Sequence, residues 1–156
     1  MGVMLERNVN IKILDDDGPV FKVLASLIDV EHSFHAEMLV DVISGKIQEV
    51  TADMAKRPYP TLCLRALDRV DQLQGEVIGR GINRRVVELV GKDTGCAHLV
   101  ELFQSAIRFA AMYLINKRTG MDPLGERTLS EQEHRDKWMP VLKNTCQVFR
   151  GKESER

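Results

Sequence analysis

Apolar and polar residues alternate through the first third of the chain and then change to helical spacing. Val9, Ile11 and Ile13 alternate within residues 3–14 and predict a first strand. Asp15-Asp16-Asp17-Gly18-Pro19 is strong turn punctuation. Alternation resumes over 20–28 through Phe21, Val23, Ala25 and Leu27, so the first two strands read as a hairpin. Residues 29–33 are a polar connection. Phe34, Ala36, Met38, Val40 and Val42 then fall on one face of a third strand, with His35, Glu37, Leu39, Asp41 and Ile43 on the other. Ser44-Gly45 is a tight turn, and 46–54 returns as a fourth strand. The pattern slips around Gln48 and Glu49, which predicts a bulge.

Arg57-Pro58-Tyr59-Pro60 ends the alternation, because two prolines remove two backbone donors. Leu62, Cys63, Ala66, Leu67, Val70 and Leu73 then keep helical spacing up to Gly75, and Ile82, Val86, Val87, Leu89 and Val90 predict a second helix ending at Gly91. A third helix over 96–116 carries a stripe of Leu99, Val100, Phe103, Ala106, Ile107, Ala110 and Leu114, broadened by Leu102, Ala111 and Met112. A stripe that wide packs across a sheet. Residues 119–126 are turn-rich. Ser130 and Glu133 have capping-box spacing before a polar helix over 130–138, and 139–149 is a partly apolar segment before a frayed charged tail. Strands followed by helices predict one α+β domain: a mainly antiparallel four-stranded sheet (3–54), helices packed on one face (60–117) and a C-terminal extension (118–156).

Composition narrows the function classes. With 156 residues, 44% of them hydrophobic and 29% charged, the chain can bury a real core. A net charge of -1 and only 5% aromatic residues point away from nucleic acid, and no apolar run is long enough for a bilayer. The first ten residues lack an apolar signal core, so the expected compartment is the cytoplasm. Three cysteines in a reducing compartment are buried small hydrophobes, ligands or nucleophiles rather than a disulfide framework.

The candidate chemistry gathers at Thr94-Gly95-Cys96-Ala97-His98-Leu99, where the third helix begins. Free amides and the helix dipole there favour a thiolate at Cys96, and Cys63 has a parallel setting just inside the helix after Pro60. His98 and Glu101, three apart, share a helix face; His35 and Glu37 share a strand face. Two thiolates with one or two imidazoles suit tetrahedral zinc or a mixed-ligand iron–sulfur cluster. The expected metal site is therefore Cys63, Cys96, His35 and His98, with Glu37, Glu101 and Cys146 as further candidates. His35 lies off the strand face of Phe34 and Met38, which is the weak point of that set. His32 and His134 sit in polar surroundings and carry little signal. The three aspartates at 15–17 lack the closing glutamate of a calcium loop, and no phosphate loop, dinucleotide fingerprint or paired CxxC motif is present.

Pro58-Tyr59-Pro60 with Cys63, then Leu73-Gln74-Gly75, Gly81-Ile82-Asn83-Arg84-Arg85-Val86 and Gly95-Cys96-Ala97-His98-Leu99, resemble a bacterial family of unknown function, DUF2889. His35 and the Pro140–Cys146 segment also look like that family. It carries no settled activity. The order of elements is also similar to the iron–sulfur cluster assembly scaffolds of the NifU N-terminal type. That resemblance puts Cys63 and Cys96 at the second and third ligand positions, His35 at the first and Glu37 at a neighbouring acidic position. It departs from that family in having a histidine as the first ligand and in His98 following its cysteine.

Three functions follow as expectations. The first is a metal- or iron–sulfur-binding scaffold or accessory protein rather than a self-contained enzyme. The second is a metal-free interaction or structural module with core cysteines, meeting a protein partner or a second copy through its helical face. The third is a thiol enzyme or sulfur-transfer protein acting through Cys96.

Overall fold

The computed structural model describes residues 2, 4–121 and 128–151, which form two compact units, 1–119 and 120–156. The first unit opens with four strands, β1 (Arg7–Leu14), β2 (Val20–Asp29), β3 (Ser33–Asp41) and β4 (Ile47–Lys56). They pair antiparallel in the order β1-β2-β3-β4. Short turn-rich connections permit only this meander between neighbours. The bulge expected near Gln48 is there: Leu39 pairs with Glu49 and Val40 with Ile47, leaving Gln48 as the extra residue.

Period-two alternation decides the core. Phe21, Val23, Ala25 and Leu27 of β2 and Phe34, Ala36, Met38 and Val40 of β3 are buried on one face. His35 and Glu37 stand exposed on the other face. After β4 a long 3₁₀ helix runs Cys63–Leu73, followed by α1 (Ile82–Val90), a short 3₁₀ turn (Lys92–Thr94) and α2 (Ala97–Thr119). The sequence predicted ordinary helical turns after Pro60. The observed segment is tighter, with no side-chain cap at its start and a 3₁₀-type closing bond from Gln74 N to Asp71 O at 2.9 Å. It still buries Ala66, Val70 and Leu73.

α2 supplies the largest apolar surface. Leu99, Leu102, Phe103, Ala106, Ile107, Ala110 and Leu114 are all buried, and each large side chain among them contributes about 1.5–3 kcal/mol. Met112, expected to widen the stripe, is 49% exposed, because it lies on the flank of α2 beside Ile11 of β1. None of the helices among the described residues is long and apolar enough to cross a membrane.

In the second unit, α3 (Glu131–Leu142) starts at the expected capping box. Ser130 Oγ accepts from Glu133 N at 3.3 Å, and Ser130 N donates to Glu133 Oε2 at 2.8 Å. The helix runs past the expected end at 138 and includes Pro140. Trp138 and Phe149 are buried, and Arg135 donates to the carbonyls of Val148 and Arg150 at 2.8 and 3.0 Å. Most of the turn expected over 119–126 and of the tail expected over 151–156 lies outside the described residues.

Candidate functional site

One end of the sheet meets the start of α2, and β1, β2, the β2–β3 turn and α2 place polar side chains there. The β2–β3 hairpin closes through Val30 and Glu31, with Asp29 N donating to His32 O at 2.9 Å. Asp29 organises this turn. Its Oδ1 accepts from Glu31 N, His32 N and His32 Nδ1, each at 2.8 Å. Its Oδ2 accepts from Arg7 Nε at 2.9 Å and pairs with Arg7 Nη2 at 2.7 Å. Burial pushes the Asp29 carboxyl up, but these donors outweigh it and hold it far below the usual carboxylate range. Arg7 is paired with Asp29 across the β1–β2 ladder and also donates to Glu101 of α2 at 2.6 Å. The bonds to both carboxylates raise its own pKa, so its charge is already matched.

His32 is buried, its ring edge-on to Phe34 with centroids 5.3 Å apart. Over it lies His98, with ring centroids 3.9 Å apart and planes inclined by 37°. Because the ionised Asp29 only accepts, His32 Nδ1 carries a proton, and neutral His32 keeps its lone pair on Nε2. His98 is held below the ordinary histidine pKa, first by burial and then by repulsion from His32 and Arg7. Leu5, Glu6, Arg7, Asp29, Val30, Glu31, His32 and His98 line a groove of about 690 Å³ at this point.

Gly95 explains how α2 comes to start here. A Cβ at this position would lie 2.1 Å from the Val90 carbonyl oxygen, so only glycine lets the chain cross so close to the end of α1. The next residue, Cys96, donates its N–H to that carbonyl at 2.9 Å, and its own carbonyl accepts from Val100 N at 3.0 Å. Two residues on, His98 faces the hairpin.

The expected metal ligands do not assemble. Among the described residues no group of three or more His, Cys, Asp or Glu side chains is arranged to hold a metal ion. Cys63 and Cys96 are half-buried and pack against the aliphatic core. His35 is on the solvent face of β3, at 3.4 Å from Ser33 Oγ, because it follows Phe34 and must point the opposite way. Glu37 shares that outer face and pairs with Lys22 at 3.3 Å. Cys146 is exposed in the second unit. Of the expected set, Cys96 and His98 are in contact, with Cys96 Sγ 3.8 Å from His98 Nδ1, and Glu101 reaches the site through Arg7. The stacked histidines are also a poor zinc pair. Two imidazoles sharing a tetrahedral ion at about 2.0–2.1 Å keep their centroids roughly 5 Å apart, wider than the separation here.

The residues missed from the sequence are Arg7, Asp29 and His32. Their signal was Asp-x-x-His across a two-residue turn between alternating strands, a spacing that lets the carboxylate bond the turn amides and the imidazole together.

The fold and this groove define an α+β protein whose polar chemistry lies at one end of an antiparallel sheet. The chain belongs to the family described as protein of unknown function (DUF2889), which matches residues 6–111 and so includes every element of the groove from Glu6 onward. No curated protein and no solved structure matches it.

Proposed function

We propose that the groove is an acid–base site for a small molecule, with His32 as proton acceptor and Asp29 as its positioning residue. The observation that carries this reading is the 2.8 Å contact from His32 Nδ1 to Asp29, which fixes the tautomer that leaves Nε2 free to take a proton. The groove volume falls in the range that holds small ligands. Arg7 is occupied by two carboxylates, and Glu6 and Glu31 add negative charge, so the groove disfavours anions. Leu5 and Val30 add apolar wall. The ligand class is a neutral or cationic molecule with an apolar part.

Cys96 has no role in this reading. Passing its proton to His98 would charge an imidazole whose charged form is disfavoured by burial and by His32 and Arg7. A metal scaffold is not favoured either, since the donor set is scattered over both faces of the sheet.

The test is histidine ring NMR during a screen of neutral, amine and carboxylate fragments. Amine or neutral fragments are expected to move the His32 and His98 resonances, and His32→Gln to weaken them at least ten-fold with folding intact. If no fragment moves these rings, or if carboxylates bind best, the reading fails.

A further inference from the structure

The acid–base step uses one nitrogen of His32 and leaves His98 and Cys96 without a part. Cys96 Sγ lies 3.8 Å from His98 Nδ1, within hydrogen-bond reach for sulfur. An imidazole nitrogen is a strong acceptor and a thiol sulfur a weak one, so the thiol donates and Nδ1 accepts. Neutral His98 then carries its own hydrogen on Nε2. His32 has the opposite tautomer, because Asp29 accepts from its Nδ1 at 2.8 Å and its lone pair is on Nε2. Among the described residues, Asn83 Oδ1 is the one enclosed side-chain nitrogen or oxygen without a hydrogen-bond partner. The two Nε2 atoms also lack a protein partner, so they are open to the groove that both rings line. With ring centroids 3.9 Å apart, the groove presents one acceptor and one donor side by side.

That pair selects its ligand by geometry. In a primary carboxamide one N–H lies on the same side of the C–N bond as the carbonyl oxygen, and a lactam or cyclic imide ring enforces the same arrangement. Such a group gives its N–H to His32 Nε2 and takes the Nε2–H of His98 on its oxygen. In an open-chain secondary amide the bond is trans, N–H and C=O point opposite ways, and the cis form is costly. An ordinary peptide segment therefore does not fit. An amine meets only the acceptor. A carboxylate sets its charge against the lone pair of His32 and against Glu6 and Glu31. Leu5 and Val30 receive the apolar remainder of the ligand.

We infer, extending the acid–base reading of the groove on which this rests, that its ligand carries a primary or ring-held cis carboxamide. His98 is the second binding residue, and Cys96 is the positioning residue that sets the His98 tautomer.

The test is imidazole nitrogen NMR of the ligand-free full chain with both rings neutral, followed by titration with benzamide and with N-methylbenzamide. His32 is expected to carry its hydrogen on Nδ1 and His98 on Nε2. Cys96→Ala is expected to mix the two tautomers of His98 and leave His32 alone, and Cys96→Ser, which keeps a donor, to restore Nε2–H. A loss of packing alone would not move the tautomer of one ring and spare the other. Benzamide is expected to bind about ten-fold more tightly than N-methylbenzamide, the effect of one hydrogen bond. It is expected to bind less tightly to Cys96→Ala than to Cys96→Ser. A wild-type His98 with its hydrogen on Nδ1, or a Cys96→Ala chain with that tautomer unchanged, overturns the inference. So does equal binding of the two amides. Amine fragments that bind where benzamide does not overturn the carboxamide and leave the acid–base reading standing, whereas no binding by any fragment overturns both.

Discussion

The two ends of α2 are both tied to the sheet by polar networks, and the contrast between them separates scaffolding from chemistry. At the C-terminal end, Tyr113 donates to Asp15, and Lys117 pairs with Asp15 and Asp17 at 2.8 and 2.7 Å. Arg118 donates to the carbonyls of Val42 and Ile43 at 3.2 and 2.9 Å, gripping the β3–β4 turn where Gly45 takes a positive φ of 74°. Lys117 and Arg118 also suit the negative end of the helix dipole. There Asp15 is held low by Lys117 and Tyr113, and burial and Asp15 push Tyr113 up to about 12. The N-terminal end is built from a similar clamp, Arg7 between Asp29 and Glu101. It differs in carrying two stacked imidazoles, His32 and His98, and in opening onto a groove. A clamp of ion pairs holds elements in place. A clamp that contains titratable rings beside a cavity can also bind and exchange protons.

The largest expected effect comes from breaking the N-terminal clamp. Asp29→Ala leaves the turn amides, His32 Nδ1 and the Arg7 guanidinium without their shared acceptor. It is expected to cost roughly 2–4 kcal/mol in a urea melt. Tyr113→Phe at the other end removes one bond to a carboxylate that keeps Lys117, and about 1 kcal/mol is expected. Equal losses in the two variants would erase the asymmetry between the ends.

Stability against pH sharpens the same contrast. His98 has a folded pKa below its ordinary value of 6.5, so the unfolded chain binds more protons between the two values. That contribution is fully present above pH 6.5 and is lost as pH falls through the folded pKa. The carboxylates of Asp29 and Asp15, also depressed, lose theirs only below the ordinary carboxylate value of 3.8. Urea midpoints are therefore expected to be flat above neutrality and to fall first just below pH 6.5. In His98→Gln that first fall should be smaller, and in Tyr113→Phe it should be unchanged. The smallest effect belongs to His35→Ala on the outer face of β3, which is expected to change stability by less than about 0.5 kcal/mol and to leave the groove histidine resonances in place.

Much of the architecture was legible from periodicity alone. The alternation of Phe21 to Leu27 and of Phe34 to Val40 determined two strands, their buried face and the hairpin between them, because a strand exposes alternate residues whatever its surroundings. The slip at Gln48 determined the bulge, and the wide stripe from Leu99 to Leu114 determined a helix across a sheet. Local chemistry also determined the capping box at Ser130 and Glu133. The same alternation already spoke against His35 as a partner of His98, since it put His35 opposite Phe34. What the sequence left open was which polar side chains meet. Arg7, Asp29, His32 and His98 are separated by up to ninety-one positions, and no local rule links them. Their meeting depends on the β1–β2 register, on a two-residue hairpin turn and on Gly95 letting α2 start against the end of α1. Side-chain direction and element register are decided by packing, so the histidine pair exists only in the folded chain.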